Sequence, residues 1–194
     1  MAAIHPEVST STHPAVLVED DKVTSLAGRR VLAATRLATG FIFLWAFLDK
    51  TFGLHYSTGA AVAEGDPSLS WIDGGTPSQG FLTYAAQGPF KGFFNSIAGP
   101  ASDWLFMLGM LGIGVAVMLG IGMRVAAVSG ALMMAMMWLA EWPLIEGSTN
   151  PLIDYHVIYA LTLIAGAILL TGDTWGLGRW WAKLPIVRRW GWLR

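Results

Sequence analysis

The segment 104–122, WLFMLGMLGIGVAVMLGIG, carries no charged residue. Its length is close to the roughly 20 residues that cross the hydrocarbon core of a bilayer. Three more apolar runs accompany it, at about 31–48, 125–140 and 152–170. Hydrophobic residues make up 54% of the 194-residue chain and charged residues only 13%, where soluble domains carry about a quarter. These features predict an all-α, polytopic membrane protein: a four-transmembrane-helix bundle embedded in a lipid bilayer. A net charge of −1 gives no case for nucleic acid as a partner. The absence of cysteine removes disulfides, thiolate metal ligands and sulfur-bound intermediates from this chain.

Lys and Arg placement predicts the orientation. Lys22, Arg29 and Arg30 precede the first run, Arg124 lies between the second and third, and Arg179, Lys183, Arg188, Arg189 and Arg194 follow the fourth. The turn between runs three and four holds Glu141, Glu146 and Asp154 but no cation. The positive-inside rule then puts both termini in the cytoplasm and the long loop 50–102 outside. The expected location is the plasma (inner) membrane, multi-pass. Residues 1–25, with Pro6, Pro14, His5, His13 and the acidic stretch 19–21, read as a disordered or loosely attached cytoplasmic tail without a signal-peptide core. Residues 26–173 form the four-helix domain. The loop is expected to carry short interfacial helices that cap the bundle. Residues 174–194, TWGLGRWWAKLPIVRRWGWLR, mix Trp with Arg and Lys as interfacial segments do, and Pro185 divides them.

Polar residues inside or beside the runs are the candidates for chemistry. Arg36, Gly40, Phe43, Phe47 and Lys50 share one face of a helix. Arg36 reads either as an anchor snorkelling to inner headgroups or as a bundle-facing group paired with Asp173. Asp49, Lys50, Asp103, Glu141, Asp154 and His156 all fall at the outer ends of runs, so a bundle could converge them in one pocket. There, Lys50 and His156 would contact a quinone head group. Asp49, Glu141 and Asp154 would relay protons, Trp45 and Trp138 would wall the ring, and Tyr159 shares the face of His156. Gly112, Ala116 and Gly120 repeat every four residues, a spacing for close helix packing. Met133, Met134, Met136 and Met137 offer thioethers, which bind Cu(I) but more often fill cores. No metal site is assigned, and no covalent cofactor is expected.

These residues resemble the DoxX/DoxD family of small four-helix membrane proteins. Arg36, Phe43 and Lys50 match its first-span pattern, and LGIGMR, with Gly120, Gly122 and Arg124, matches its Gly-rich turn. NPLIDYHVIYAL, with Asn150, Asp154, His156 and Tyr159, resembles its last span, and WIDGGTPSQGFLTYAAQGPF resembles the DoxD branch. The likeness covers about residues 30–178; Phe47 departs from it, standing where members often carry a small residue. It implies the DoxD-like membrane subunit of a thiosulfate:quinone oxidoreductase, with a quinone or anion pocket at the outer membrane face. Such a subunit takes quinone as cofactor and works with other membrane or extracytoplasmic redox subunits. The alternative is a non-catalytic accessory subunit of a respiratory or other membrane complex, with homo-oligomers as a further partner mode.

Overall fold

The computed structural model describes residues 16–59, 69–145, 148 and 150–194. His5, His13, Glu146 and positions 60–68 of the long loop lie outside them. Helix is the only regular secondary structure among the described residues, with seven α-helices: α1 (Leu26–Phe52), α2 (Lys91–Ile97), α3 (Pro100–Leu119), α4 (Met123–Glu141), α5 (Tyr155–Ile168), α6 (Gly178–Trp181) and α7 (Pro185–Arg189). Three of them, α1, α3 and α4, are long and apolar enough to cross a membrane. Helix α1 packs on α3, α4 on α5, and α3 joins the two pairs. The shared core holds Phe43, Ile113, Val117, Met134 and Leu163, and large apolar side chains such as Leu105, Val128, Leu132 and Ile168 face outward. Apolar surface of that kind on long helices suits a bilayer as solvent.

The ends of all four runs differ from the sequence reading by one to five residues, and α1 and α5 show why. Helix α1 begins at Leu26, five residues before the expected 31, because the Ser25 side chain caps it by accepting the Gly28 N–H at 3.2 Å. The fourth run, expected over 152–170, is helical only over Tyr155–Ile168, 14 residues. That is about 21 Å of helix against a hydrocarbon core of about 30 Å. Asp154 caps its start, and Leu170, at φ 57°, turns the chain into a short helical turn at Thr171–Asp173.

Close approach of α1 and α3 depends on glycine. A Cβ on Gly40 would meet the Met118 backbone at 2.9 Å, and one on Gly114 would meet Leu44 at 2.7 Å. Gly112, expected at such a contact, faces open space. The packing stripe on α3 is therefore set by Gly114, two residues on. The Met run is core filling: Met134 is buried, and Met133 and Met137 pack beside it.

Arg36 organises the end of the bundle where both ends of the described chain meet. It is 3% exposed, so it does not snorkel. Nor does it pair with Asp173, whose carboxylate accepts from Arg194 at 2.9 Å. Instead its five N–H groups reach five backbone carbonyls: Thr171, Val117, Met118, Thr174 and Trp175. Two of these belong to the last turn of α3, whose final carbonyls have no helical partner. The other two orphans are taken by the N–H groups of Ile121, onto Ala116, and Leu177, onto Leu119. Every free carbonyl at this end of α3 is thus satisfied. The partial negative charge of the helix terminus also faces a cation.

The segment before α1 is held down over residues 16–25, contrary to the expected loose tail. Glu19 is fully buried, its N–H donating to Asp173 at 2.9 Å and its carboxylate accepting from the Thr174 hydroxyl. Asp20 bridges Arg29 and Arg179. Burial, and next the nearby Asp173, push the Glu19 carboxyl above its ordinary value against the Thr174 hydrogen bond. The Arg29 hydrogen bond holds Asp20 below its own.

Two outcomes follow for stability. Arg36→Met strands buried carbonyls that cost about 1–3 kcal/mol each when unpaired. The variant should therefore melt far below the wild type in detergent. Arg36→Lys keeps the charge but offers only three donors from one point, and should fall between; a wild-type melting temperature for it would contradict the clamp. For Glu19, the folded state favours the protonated carboxyl. Its contribution is full below the ordinary carboxylate pKa and fades as pH rises through the raised value. Glu19→Gln should raise the melting temperature at neutral pH and flatten its dependence from there down to the carboxylate range. Asp20 titrates below that window.

Candidate functional site

At the other end of the bundle the polar residues sort into two groups. The first is scaffold. Asp49, 1% exposed, accepts the N–H groups of Tyr56 at 3.2 Å and Ser57 at 2.9 Å and the Ser57 hydroxyl at 2.7 Å. It fastens the chain as it leaves α1, where Gly53 adopts the left-handed conformation. Asp103 does the same for the loop: it accepts from the Ser78 N–H and hydroxyl, both at 2.7 Å, and from the Gln79 amide at 2.6 Å. These bonds seat a π turn at Phe81–Ala85 on the start of α3. A small core of Leu82, Ala86, Phe94 and Ala140 holds that turn and α2 against the end of α4. The loop thus contains the short helical pieces expected of it. Both carboxylates, expected in a convergent cluster, are occupied by loop donors instead.

The second group is a cluster built by the α4–α5 connection. Glu141 is the last residue of α4 and Asp154 the N-cap of α5. One Asp154 oxygen accepts the N–H groups of His156 at 2.9 Å and Val157 at 3.3 Å. The other lies 2.8 Å from His156 Nδ1. An ionised Asp154 places the imidazole proton on Nδ1, since a carboxylate can only accept. His156 is fully buried, and its Nε2 has no hydrogen-bond partner among the described residues. Tyr155 stacks over the imidazole with centroids 4.0 Å apart and lies 5.9 Å from the Tyr159 ring. One ligand atom from each of Glu141, Asp154 and His156 falls within 4.8 Å of the others. Two carboxylates and an imidazole at that spacing can share a proton or hold a divalent cation. Sequence reasoning assigned no metal here. The signal it had was the acidic end of α4 facing the capping Asp and His of α5.

Beside this cluster is a cavity of about 430 Å³, lined among others by Gln87, Trp138, Glu141, Asn150, Asp154 and Tyr155. Its volume is in the range of small-molecule sites. Trp138 is positioned by its indole N–H, which donates to the Leu152 carbonyl at 3.2 Å. The Gln87 N–H closes the end of α4 by donating to Ala140 at 2.8 Å.

Of the residues expected around one pocket, Glu141, Asp154 and Trp138 line this cavity and His156 lies directly behind Asp154. Tyr159 instead packs on the bundle core. Trp45 packs between Phe41 and Tyr56, with centroids 5.7 and 5.1 Å away. Lys50 is half-buried in the last turn of α1 and does not line the cavity. Arg36 borders a separate cavity of about 330 Å³, but its five donors are engaged by carbonyls. Tyr155 and Gln87 line the site without having been singled out. Comparison of the chain with protein-family models, curated proteins and solved structures gave no match.

The Asp154–His156 arrangement makes a direct expectation. Asp154→Ala removes the α5 cap, worth about 1 kcal/mol, and releases Nδ1. Nitrogen NMR of His156 should show the proton on Nδ1 in the wild type and a shift toward Nε2 in the variant. An unchanged tautomer would remove Asp154 as the group that orients the ring.

Proposed function

We propose that the chain is a multi-pass subunit of the plasma (inner) membrane, with cytoplasmic termini, that binds a quinone in the cavity at the α4–α5 connection. The observation that carries this reading is the Asp154–His156 hydrogen bond beside a 430 Å³ cavity walled by Trp138 and Tyr155. A quinone head group needs a flat apolar wall, hydrogen-bond donors for its two oxygens, and two protons as it takes two electrons. The aromatic rings supply the wall, Tyr155 and Gln87 carry donors, and Glu141 with the Asp154–His156 pair supplies protons. The electrons come from an extracytoplasmic redox partner that oxidises a small sulfur anion. In the resemblance to DoxD that anion is thiosulfate, two of which couple and release two electrons. This chain, without cysteine, binds the acceptor and moves the protons; the sulfur chemistry belongs to the partner. The four-span DoxX-like topology is part of the same proposal, with α5 and the turn after it as the fourth crossing.

A second reading, a non-catalytic accessory subunit, draws support from the scaffold roles of Asp49 and Asp103. It requires co-purification with a larger complex and no bound quinone.

Binding of a short-chain ubiquinone to purified protein, followed by quenching of tryptophan fluorescence, separates the two. Glu141→Gln and His156→Phe should weaken binding or slow partner-driven quinone reduction about tenfold or more, the loss of one charge-assisted hydrogen bond. Lys50→Ala should do far less. No binding by the wild type, or reduction unaffected by both site variants, would end the quinone reading. Topology is tested independently with the cysteine-free chain. Thr83→Cys should react with a membrane-impermeant maleimide in intact cells, and Lys183→Cys only after permeabilisation. The reverse pattern would invert the orientation.

A further inference from the structure

A cavity of about 1150 Å³ lies at the Arg36 end, far along α4 from the cluster just described. Much of its apolar wall comes from one face each of two helices, Ala127, Val128 and Ala131 of α4 and Ile164, Ala167 and Ile168 of α5, with the rest from the segment before α1 and the chain after α5. Val128 and Ile168 are 72% and 62% exposed, so this wall is continuous with the outward apolar surface of the bundle. The rim is cationic. Lys22, Arg124, Arg188, Arg189 and Arg194 line it, and no Asp or Glu does. Arg194 is held by Asp173 and by the Leu17 carbonyl, and Arg124 by the Gly191 carbonyl at 3.1 Å. Lys22, Arg188 and Arg189 are exposed and have no carboxylate partner among the described residues. Trp180, Trp190 and Trp192 project around the same segment, as aromatic rings do at headgroup depth.

The geometry points to a binding site for one anionic glycerophospholipid of the surrounding bilayer, its phosphate on the cationic rim and an acyl chain along the α4–α5 wall. Charge complementarity selects this occupant. A rim of five cations, of which only Arg194 is paired with a carboxylate, favours an anionic headgroup, and basic pockets beside membrane helices bind such headgroups. A soluble anion would leave the apolar wall uncovered, and a neutral lipid would leave the rim unpaired. The site also has a structural role. The lipid would join the strap 16–25, the start of α4 and the α7 segment, the three pieces that the Arg36 end must hold together. This inference is independent of the quinone reading.

Native mass spectrometry of the delipidated full chain, titrated with phosphatidylglycerol or phosphatidylcholine, tests it. One phosphatidylglycerol should bind at least tenfold more tightly than phosphatidylcholine. The exposed double variant Arg188→Gln/Arg189→Gln should lose most of that preference while melting like the lipid-free wild type. Ala131→Trp, which fills the wall and leaves the charges, should weaken both lipids. Equal affinity for the two lipids, or a preference that survives the double variant, would overturn the site. So would full displacement of the lipid by inorganic phosphate, which would mark a free-anion site. Binding seen only after residues 1–15 are deleted would assign the groove to the chain's own N-terminal segment instead.

Discussion

One guanidinium, that of Arg36, sets the order of everything at its end of the bundle. Backbone carbonyls cannot be left bare where water is excluded, and a helix that stops inside such a region leaves four of them. Helix α3 stops at Leu119 because Gly120 turns left-handed at φ 72°. The chain after α5 turns as well, through Leu170. Both breaks expose acceptors facing α1, and Arg36 is the single side chain with enough donors, in a planar fork, to satisfy them. No counter-charge is needed, because five carbonyl dipoles and a helix terminus surround the cation. Once this clamp is closed, Thr174 and Asp173 are positioned to receive Glu19, Arg194 reaches Asp173, and the two ends of the described chain close over α4 and α5.

The opposite end is built by a different economy of charge. Two buried carboxylates, Asp49 and Asp103, gather loop donors and so fix a lid over helices whose ends would otherwise be bare. This frees the α4–α5 connection to carry polar groups that the lid does not use. Asp154 serves twice there, capping α5 with one oxygen and orienting His156 with the other. A residue fixed by helix capping is a rigid support for an imidazole, which is what a proton-transfer group requires.

Part of this was legible from hydropathy alone, because long apolar runs are a one-dimensional signal. The long apolar helices α1, α3 and α4 and the clustering of Glu141, Asp154 and His156 at one end follow from residue order. Arg36 was misjudged because its partners are carbonyls, and carbonyls are invisible in a sequence: nothing in the letters at 117, 118, 171, 174 or 175 marks them as acceptors. Asp49 and Asp103 were placed in the cluster because distance along a helix fixes depth but not azimuth or rotamer. Each instead turned to donors within eight or twenty-five residues. The small-residue stripe of α3 was read two positions early because Gly112, Ala116 and Gly120 repeat every four residues, and only the position of Leu44 on α1 selects Gly114. The lengths of α1 and α5 moved for a local reason, the caps at Ser25 and Asp154.

Whether the cavity at the α4–α5 connection holds the proposed quinone can be read directly. Photolabelling of the purified protein with an azidoquinone, followed by peptide mapping, tests it most directly. The account predicts label on residues 138–142 and 154–156, reduced by excess unlabelled ubiquinone. Label confined to α1 or α3, or none that ubiquinone can displace, would contradict it.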